Sequence, residues 1–441
     1  MKILLVTPEF PPDFGGGIIT YYQNLAPALR AHGCSVEILK GSAFTHGGKD
    51  YVHEGISVSV LETARFAKWL GCFDHFAMFP ELRRHLAAGF ALHELAKKGD
   101  GFDVVEVTDW GLLFLPWMIE ADARVLVQLH GSTGQIAYYE PGTGRESEGA
   151  FSLLLEKSAL GEAPALSTYS HANVRWWEAL LRRPIHYLPP PLKLKSFRPG
   201  EKISSDTWLS VGRIQHWKGP QVVCAAWEQL GVKAPQLQWA GRDTVHGKTG
   251  QSASAWLGRE FPAAWGKKIQ PIGQFPSDEV QQRMGVAKAV LIPSLWDTFN
   301  LAAAEAMALG KVVVVSDGAG AADLVKHGVN GFVFPKGDAV ALAKLVRLVE
   351  NLDPVELHKI GNKAALTVHE QLAPDHIAVE KIKLYRSLPE PTSNRVTWLN
   401  ECLLPATGAK PFAFLDGLPL KELTRYVARR GFGKFFQAGK S

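Results

Sequence analysis

Ile292-Pro293-Ser294-Leu295-Trp296-Asp297-Thr298-Phe299-Asn300-Leu301-Ala302-Ala303-Ala304-Glu305-Ala306-Met307-Ala308-Leu309-Gly310 runs almost directly into the β-branched stretch Val312-Val313-Val314-Val315. The order is strand, loop, helix, strand, the unit from which parallel sheets are wound. A helix predicted to begin near Phe299 leaves the amides of Phe299, Asn300 and Leu301 without intrahelical partners, and with the helix dipole these suit a phosphate. Glu305 stands one turn beyond Leu301 on the same face. Helical side chains lean toward the N-terminus, so its carboxylate reaches back past such a site. An acceptor pair there suits vicinal hydroxyls such as those of a ribose. Taken alone, an acid at this position is equally explained as a partner of the helix dipole.

Upstream, Gly212-Arg213-Ile214-Gln215-His216-Trp217-Lys218-Gly219 follows a strand-like run over 208–211 and precedes helical spacing from Pro220. Arg213 and Lys218 therefore lie at the carboxyl end of one strand, where two cations can neutralise a departing diphosphate. Read singly, they are solvated loop cations. Further strands are expected over 237–240, 269–272, 290–292, 312–315 and 332–334, with helices from Pro220, Ser277, Phe299 and Asp338.

The first half follows the same pattern. An apolar run over 2–7 leads into a Pro/Gly loop and then into helical spacing over 18–31. Strands are expected over 36–39, 56–60, 104–107, 125–129 and 185–188, with a helix over 81–98. Such alternation implies parallel sheets covered on both faces. The fold class is thus α/β, with two doubly wound, Rossmann-like domains and a ligand site in the cleft between them. The expected divisions are a first domain over 1–195, a second over 196–373, a helix over 374–388 crossing back to the first, and a basic extension over 389–441. Leu188-Pro189-Pro190-Pro191, with Phe197-Arg198-Pro199-Gly200 after it, can continue neither a helix nor a central strand and reads as the linker.

Composition narrows the partners. The chain has 441 residues, 46% apolar and 21% charged, which suffices for two or three cores. Its net charge of +5 favours anionic partners. There is no zinc-finger spacing, RNP signature or long basic stripe, so nucleic acid is not an expected partner. Cys34, Cys72, Cys224 and Cys402 are scattered and form no C-x-x-C pair, so neither a zinc site nor a disulfide framework is expected, and a reducing cytosol fits. No segment approaches the ~18 apolar residues of a membrane span. The stretch 421–441 carries six Lys/Arg against one Glu, interleaved with Tyr426, Phe432, Phe435 and Phe436. Two readings of it stand: peripheral contact with an anionic membrane face, and a solvated helix docked on the body.

Together these motifs resemble the retaining nucleotide-sugar glycosyltransferases of family 4, which have the GT-B fold. The resemblance covers roughly residues 1–388. The family's G-R-x-x-x-x-K-G segment is similar to Gly212 through Gly219, and its E-x7-E segment aligns with Asp297 and Glu305. A G-G-x-x-E pattern followed by N-G is similar to Gly318-Ala319-Gly320-Ala321-Ala322-Asp323 and to Asn330-Gly331. The loop Gly15-Gly16-Gly17 and the strand-end His130-Gly131 stand where the family surrounds donor and acceptor. By position, the resemblance implies that Arg213 and Lys218 bind the donor diphosphate, with Gly212 opening their loop. It places the amides around Phe299, Asn300 and Leu301 on the distal phosphate or sugar, Glu305 on the ribose, Asp297 on the transferred sugar and His130 beside the reacting carbon. Gly16 and Gly17 would allow close backbone approach.

The chain departs from the family at Asp297, which replaces a Glu, at Asn300, where Gly is commonest, at Asp323, which also replaces a Glu, and in its Pro-rich linker. The resemblance implies retention of anomeric configuration without metal or cofactor, a UDP-, GDP- or ADP-sugar donor, a hydroxyl acceptor and a place in polysaccharide biosynthesis. The residues agree in lacking D-x-D and H-E-x-x-H. Two other readings are a non-catalytic nucleotide-sugar-binding protein and a nicotinamide-dependent oxidoreductase built on Gly318-Ala319-Gly320. Against the latter, Asp323 occupies the third glycine position and no G-x-G-x-x-G follows the first strand. Acceptor candidates are ambiguous: Asp109-Trp110 faces the cleft or is a cap beside a packed ring, and Tyr138-Tyr139-Glu140 is similar.

Overall fold

The structure, a computed structural model, describes residues 1–13, 16–140, 146–193, 205–247 and 249–391, and beyond them Leu399, Leu403, Lys421, Glu422, Thr424, Arg425 and Ala428. Gly15, the 197–200 segment, Cys402 and the aromatic residues of the basic tail lie outside the described residues, as do the readings that rest on them.

The first sheet is built from β1 (Lys2–Thr7), β2 (Ser35–Lys40), β3 (Tyr51–His53), β4 (Ile56–Val60), β5 (Val104–Thr108), β6 (Arg124–Leu129), β7 (Leu166–Thr168) and β8 (His186–Tyr187). Among the described residues its order is β3-β4-β2-β1-β5-β6-β7-β8, parallel except where β3 pairs antiparallel with β4. β1 lies between β2 and β5 and is buried from Ile3 onward. A strand covered on both faces must be apolar on both, which is why it reads as an unbroken run rather than an alternation. The second sheet comprises β9 (Trp208–Val211), β10 (Leu237–Ala240), β11 (Ile269–Gly273), β12 (Ala289–Ile292), β13 (Val312–Ser316) and β14 (Phe332–Phe334), all parallel, in the order β11-β10-β9-β12-β13-β14.

Both orders reverse direction once in the middle. In the second sheet the chain moves outward from β9 through β10 and β11, then crosses to the other side of β9 with β12. The loops after β9 and β12 therefore diverge and leave a crevice at the strands' carboxyl ends. β1 and β5 form the corresponding switch in the first sheet.

Expected strands recur at their positions, while three-residue β3 and β7 were too short to announce themselves. The helix expected over 81–98 runs Pro80–Leu95, because Lys97, Lys98 and Gly99 all take positive φ. The long helical stretch after Asp353 divides into Pro354–Gln371 and Pro374–Ser387, the former opened by a capping box between Asp353 and Glu356. Pro374 supplies no amide to continue the first of these, so it starts the second.

The helix Pro374–Ser387 packs against the first domain's Gly17–Ala31 helix and buries Lys381 beside Glu106 of β5, Nζ to Oε2 2.9 Å. Leu192 donates its amide to Leu372 at 2.9 Å, so the chain's two crossings between domains are hydrogen-bonded to each other. Leu399 and Leu403 are buried in the apolar core of the first domain, and the His75 ring contacts the Leu403 carbonyl at 2.9 Å. Among the described residues no helix is long and apolar enough to cross a membrane.

Candidate functional site

The crevice of the second sheet is made by two loops locked backbone to backbone. Gly219 has φ +76°, and a Cβ there would collide with the Pro293 carbonyl oxygen. The Leu295 amide donates to Trp217 O at 2.8 Å. This packing fixes the cation-bearing 212–219 loop against the acid-bearing loop after β12. The Trp217 ring is a shared platform, with Lys218 Nζ 4.3 Å and the Arg213 guanidinium 5.8 Å from its centroid. Lys218 Nζ lies 2.5 Å from Asp297 Oδ2, and the two side chains expose 16% and 12% of their surface. Burial, then the neighbouring Arg242, lowers the pKa of Arg213, while Asp297, Glu140 and Glu9 act in the opposite direction. Two cations thus share one aromatic face, and an acid pairs with one of them.

The helix expected to begin near Phe299 begins instead at Leu301, and Asn300 is its N-cap. Asn300 takes the left-handed conformation, φ +79°, which Asn tolerates better than most residues. Its Oδ1 accepts the Ala303 amide at 3.2 Å and its Nδ2 donates to Asp297 Oδ2 at 2.9 Å. Phe299 cannot be helical because its carbonyl accepts the Ala321 amide in a ladder that also joins Asp297 to Gly318 and Gly320. The first-turn amides are consequently those of Leu301, Ala302 and Ala303, not Phe299 and Asn300. Glu305 stays one turn beyond Leu301, half-buried.

The first domain supplies the opposite wall. A Cβ on Gly17 would lie 3.7 Å from Leu301 Cδ1, so the start of the Gly17–Ala31 helix faces the start of Leu301–Ala308. Thr298 Oγ1 donates to the His130 carbonyl at 3.0 Å, which places His130 beside the Asp297 loop. The His130 ring contacts Tyr169 Oη through Nδ1 at 2.6 Å and packs edge-on against Tyr21. Burial, then Lys381, holds its pKa well below the usual range, so the ring is neutral at pH 7. Asp109 is fully buried and accepts the His130 amide at 2.7 Å and the Gly131 amide at 3.3 Å. Its carboxylate thus holds the turn after β6 and makes no capping bond to the short helical turn Trp110–Leu112, while Trp110 is half-buried and packs on His85. Behind it, Glu156 accepts from Ser132 Oγ at 2.6 Å and Gly134 N at 3.0 Å.

Further residues meet at the seam between the two domains. Tyr139 and Trp296 stack across the cleft with centroids 4.7 Å apart and planes 3° from parallel. The Trp217 amide approaches Glu140 Oε2 at 3.4 Å. Tyr139 and Glu140 belong to a stretch that sequence reading had left ambiguous. Asp323 accepts the amide of His171, in the first domain, at 2.7 Å. Asn330 is buried away from this wall and closes its own turn, with Nδ2 on Leu324 O at 3.0 Å and Oδ1 on the Lys326 amide at 2.7 Å. Among the described residues no group of three or more His, Cys, Asp or Glu could hold a metal ion.

The chain is similar to known proteins over most of its length. Residues 194–367 match the family described as glycosyl transferases group 1, and residues 16–191 match the glycosyl transferase 4-like domain. An uncharacterized glycosyltransferase of Methanocaldococcus jannaschii is 26% identical over 420 residues, covering 88% of this chain and 98% of its own. A D-inositol 3-phosphate glycosyltransferase of Jonesia denitrificans is 23% identical, covering 87% and 95%. Among solved structures, sucrose-phosphate synthase from Thermosynechococcus elongatus superposes with a TM-score of 0.68 at 22% identity over 87% of this chain and 98% of that one. Anabaena HepE in complex with UDP-glucose superposes with a TM-score of 0.65 at 16% identity over 88% and 100%.

Proposed function

We propose a reaction from a plain starting point: this chain belongs to the family-4-like glycosyltransferases of the GT-B fold. It moves a hexose-type sugar from a nucleotide-diphosphate donor to a hydroxyl of a glycan, lipid-linked or small-molecule acceptor, retaining the anomeric configuration and using no metal. The observation that carries this reading is the convergence at one crevice of Arg213, Lys218 and Asp297 with the open start of the Leu301–Ala308 helix, opposite His130 and Gly17.

Negative charge develops on the diphosphate as it departs. Two cations already oriented by the Trp217 platform, in a site partly closed to water, stabilise that charge without reorganising. The first-turn amides of Leu301 and Ala302 add donors for the distal phosphate or sugar. Glu305 takes the ribose hydroxyls and Asp297 the transferred sugar. His130, neutral and held through its backbone by Asp109, lies beside the sugar. The acceptor hydroxyl attacks on the face the diphosphate leaves, and its proton passes to the departing phosphate oxygen, so no protein nucleophile is required. HepE was solved with UDP-glucose, which makes UDP-sugars the first donors to try.

The test is nucleotide release. Purified protein is incubated with UDP-, GDP- and ADP-sugars, with and without lipid and saccharide acceptors, and with EDTA in parallel. One donor should release its nucleotide at a rate that EDTA leaves unchanged. Silence from all three donors over hours would remove the enzymatic reading, and strong inhibition by chelator would remove its metal-free part.

A further inference from the structure

We propose that Asp297 competes with the nucleotide diphosphate for Lys218, so that the site favours the sugar-bearing donor over the free nucleotide left after transfer. This rests on the reading above that Lys218 takes the diphosphate.

The ammonium of Lys218 is already engaged, 2.5 Å from Asp297 Oδ2, where both side chains are largely withdrawn from solvent. The carboxylate is mounted so that it cannot easily retreat. Its Oδ2 also receives Asn300 Nδ2 at 2.9 Å, and Asn300 is itself fixed as the cap of the Leu301–Ala308 helix. The Asp297 backbone is held on both sides, its amide on Gly318 O at 2.8 Å and its carbonyl by the Gly320 amide at 3.0 Å. A diphosphate reaching Lys218 must therefore share one ammonium with a fixed carboxylate a few ångströms away, and like charges at that range in a poorly solvated site repel.

What the ligand brings next to that carboxylate decides the outcome. A nucleotide sugar presents hydroxyls, which donate to Asp297 and turn the repulsive contact into a hydrogen-bonded one. The free nucleotide presents no sugar and carries more negative charge on its terminal phosphate. After transfer Asp297 is left facing an anion, and Lys218 returns to it as the nucleotide leaves. Asp297 thus acts as a specificity determinant between substrate and product, through its ion pair with Lys218.

Asp297→Asn, nearly isosteric and uncharged, tests this by isothermal titration of the full chain with UDP, GDP and ADP and with the matching nucleotide sugars. Whichever diphosphate binds the wild type should bind Asp297→Asn about tenfold more tightly, the size of one screened charge contact. The matching nucleotide sugar should bind no more tightly and turn over more slowly. Asp297→Glu, which keeps the charge, should keep the wild-type preference for the sugar-bearing ligand. A merely structural role would weaken both ligands together. Free nucleotide binding no more tightly to an Asp297→Asn protein that melts like the wild type overturns the proposal. If that variant melts lower, Asp297→Ala is read by the same criterion. If none of the three nucleotides binds even the wild type, the donor reading itself fails and takes this proposal with it.

Discussion

Replacing Lys381 with Met probes how the Pro374–Ser387 helix is held to the first domain. Lys381 and Glu106 are both 0% exposed, with Nζ 2.9 Å from Oε2. The pair is fully embedded in partners: Lys381 Nζ also donates to Gln128 Oε1 at 2.6 Å, Tyr385 Oη donates to Glu106 Oε2 at 2.7 Å, and Tyr21 Oη lies 3.3 Å from Glu106 Oε1. Met fills a similar volume but leaves the Glu106 charge buried with neutral donors alone. Removing one member of such a pair costs about 3–5 kcal/mol. For a domain of this size that corresponds to a fall in Tm of roughly 6–20 °C. Removing both charges, with Glu106→Leu added, should recover much of the loss, because the desolvation of the second charge vanishes as well. Calorimetric melts at pH 7 of wild type, both single variants and the double variant form the cycle that isolates the coupling. A Lys381→Met protein within about 1 kcal/mol of wild type, or single effects that simply add, would refute the reasoning.

Other expectations follow from particular contacts. Burial pushes the Asp109 carboxyl up to about 7 and that of Glu156 up to about 8, against hydrogen bonds that pull both down. Folded values above the unfolded ones mean that the folded chain binds the extra protons, so this contribution is full below about pH 4 and is lost as pH rises through both values. Melting temperature should therefore fall from about pH 5 to about pH 8.5, and Glu156→Gln should flatten the upper part of that profile. Tyr139→Ala removes a ring stacked on Trp296 across the cleft. Steady-state kinetics should show a donor KM raised about two- to tenfold, the worth of one aromatic pair. Gly219→Ala must place a Cβ against the Pro293 carbonyl at a positive φ, so unfolding curves should show a loss of about 2–4 kcal/mol. Asn300→Ala should cost about 1–2 kcal/mol through the lost cap and the left-handed backbone, whereas Asn300→Gly should cost only a few tenths.

Much of the architecture was legible because its signals are local. A strand buried on both faces announces itself as an unbroken β-branched run, as in Val312 to Val315, and the segment from Gly212 to Gly219 between a strand and Pro220 places its two cations at a strand's carboxyl end. The pairing of Lys218 with Asp297 was harder to anticipate. It depends on the β9 and β12 loops meeting at a topological switch, and strand order is not written in either loop. The start of the Leu301–Ala308 helix was misjudged by two residues because tertiary bonds hold Phe299 in a ladder with Ala321, overriding the helical spacing of its own segment. Residues that act across the cleft, such as Tyr139 and Asp323, are set by how one domain faces the other. Neither their type nor their spacing carried that information. Buried Glu106 and Lys381 likewise lie 275 positions apart in numbering, and only the return of the Pro374–Ser387 helix brings them together.

The most direct test of the central claim is the rate of nucleotide release from the preferred nucleotide sugar by Lys218→Ala, Arg213→Ala and Glu305→Ala, each checked for an unchanged melt. If the crevice between β9 and β12 holds the donor through its diphosphate and ribose, each variant should lose most of its turnover while remaining folded. A folded Lys218→Ala protein that releases nucleotide at the wild-type rate would contradict it.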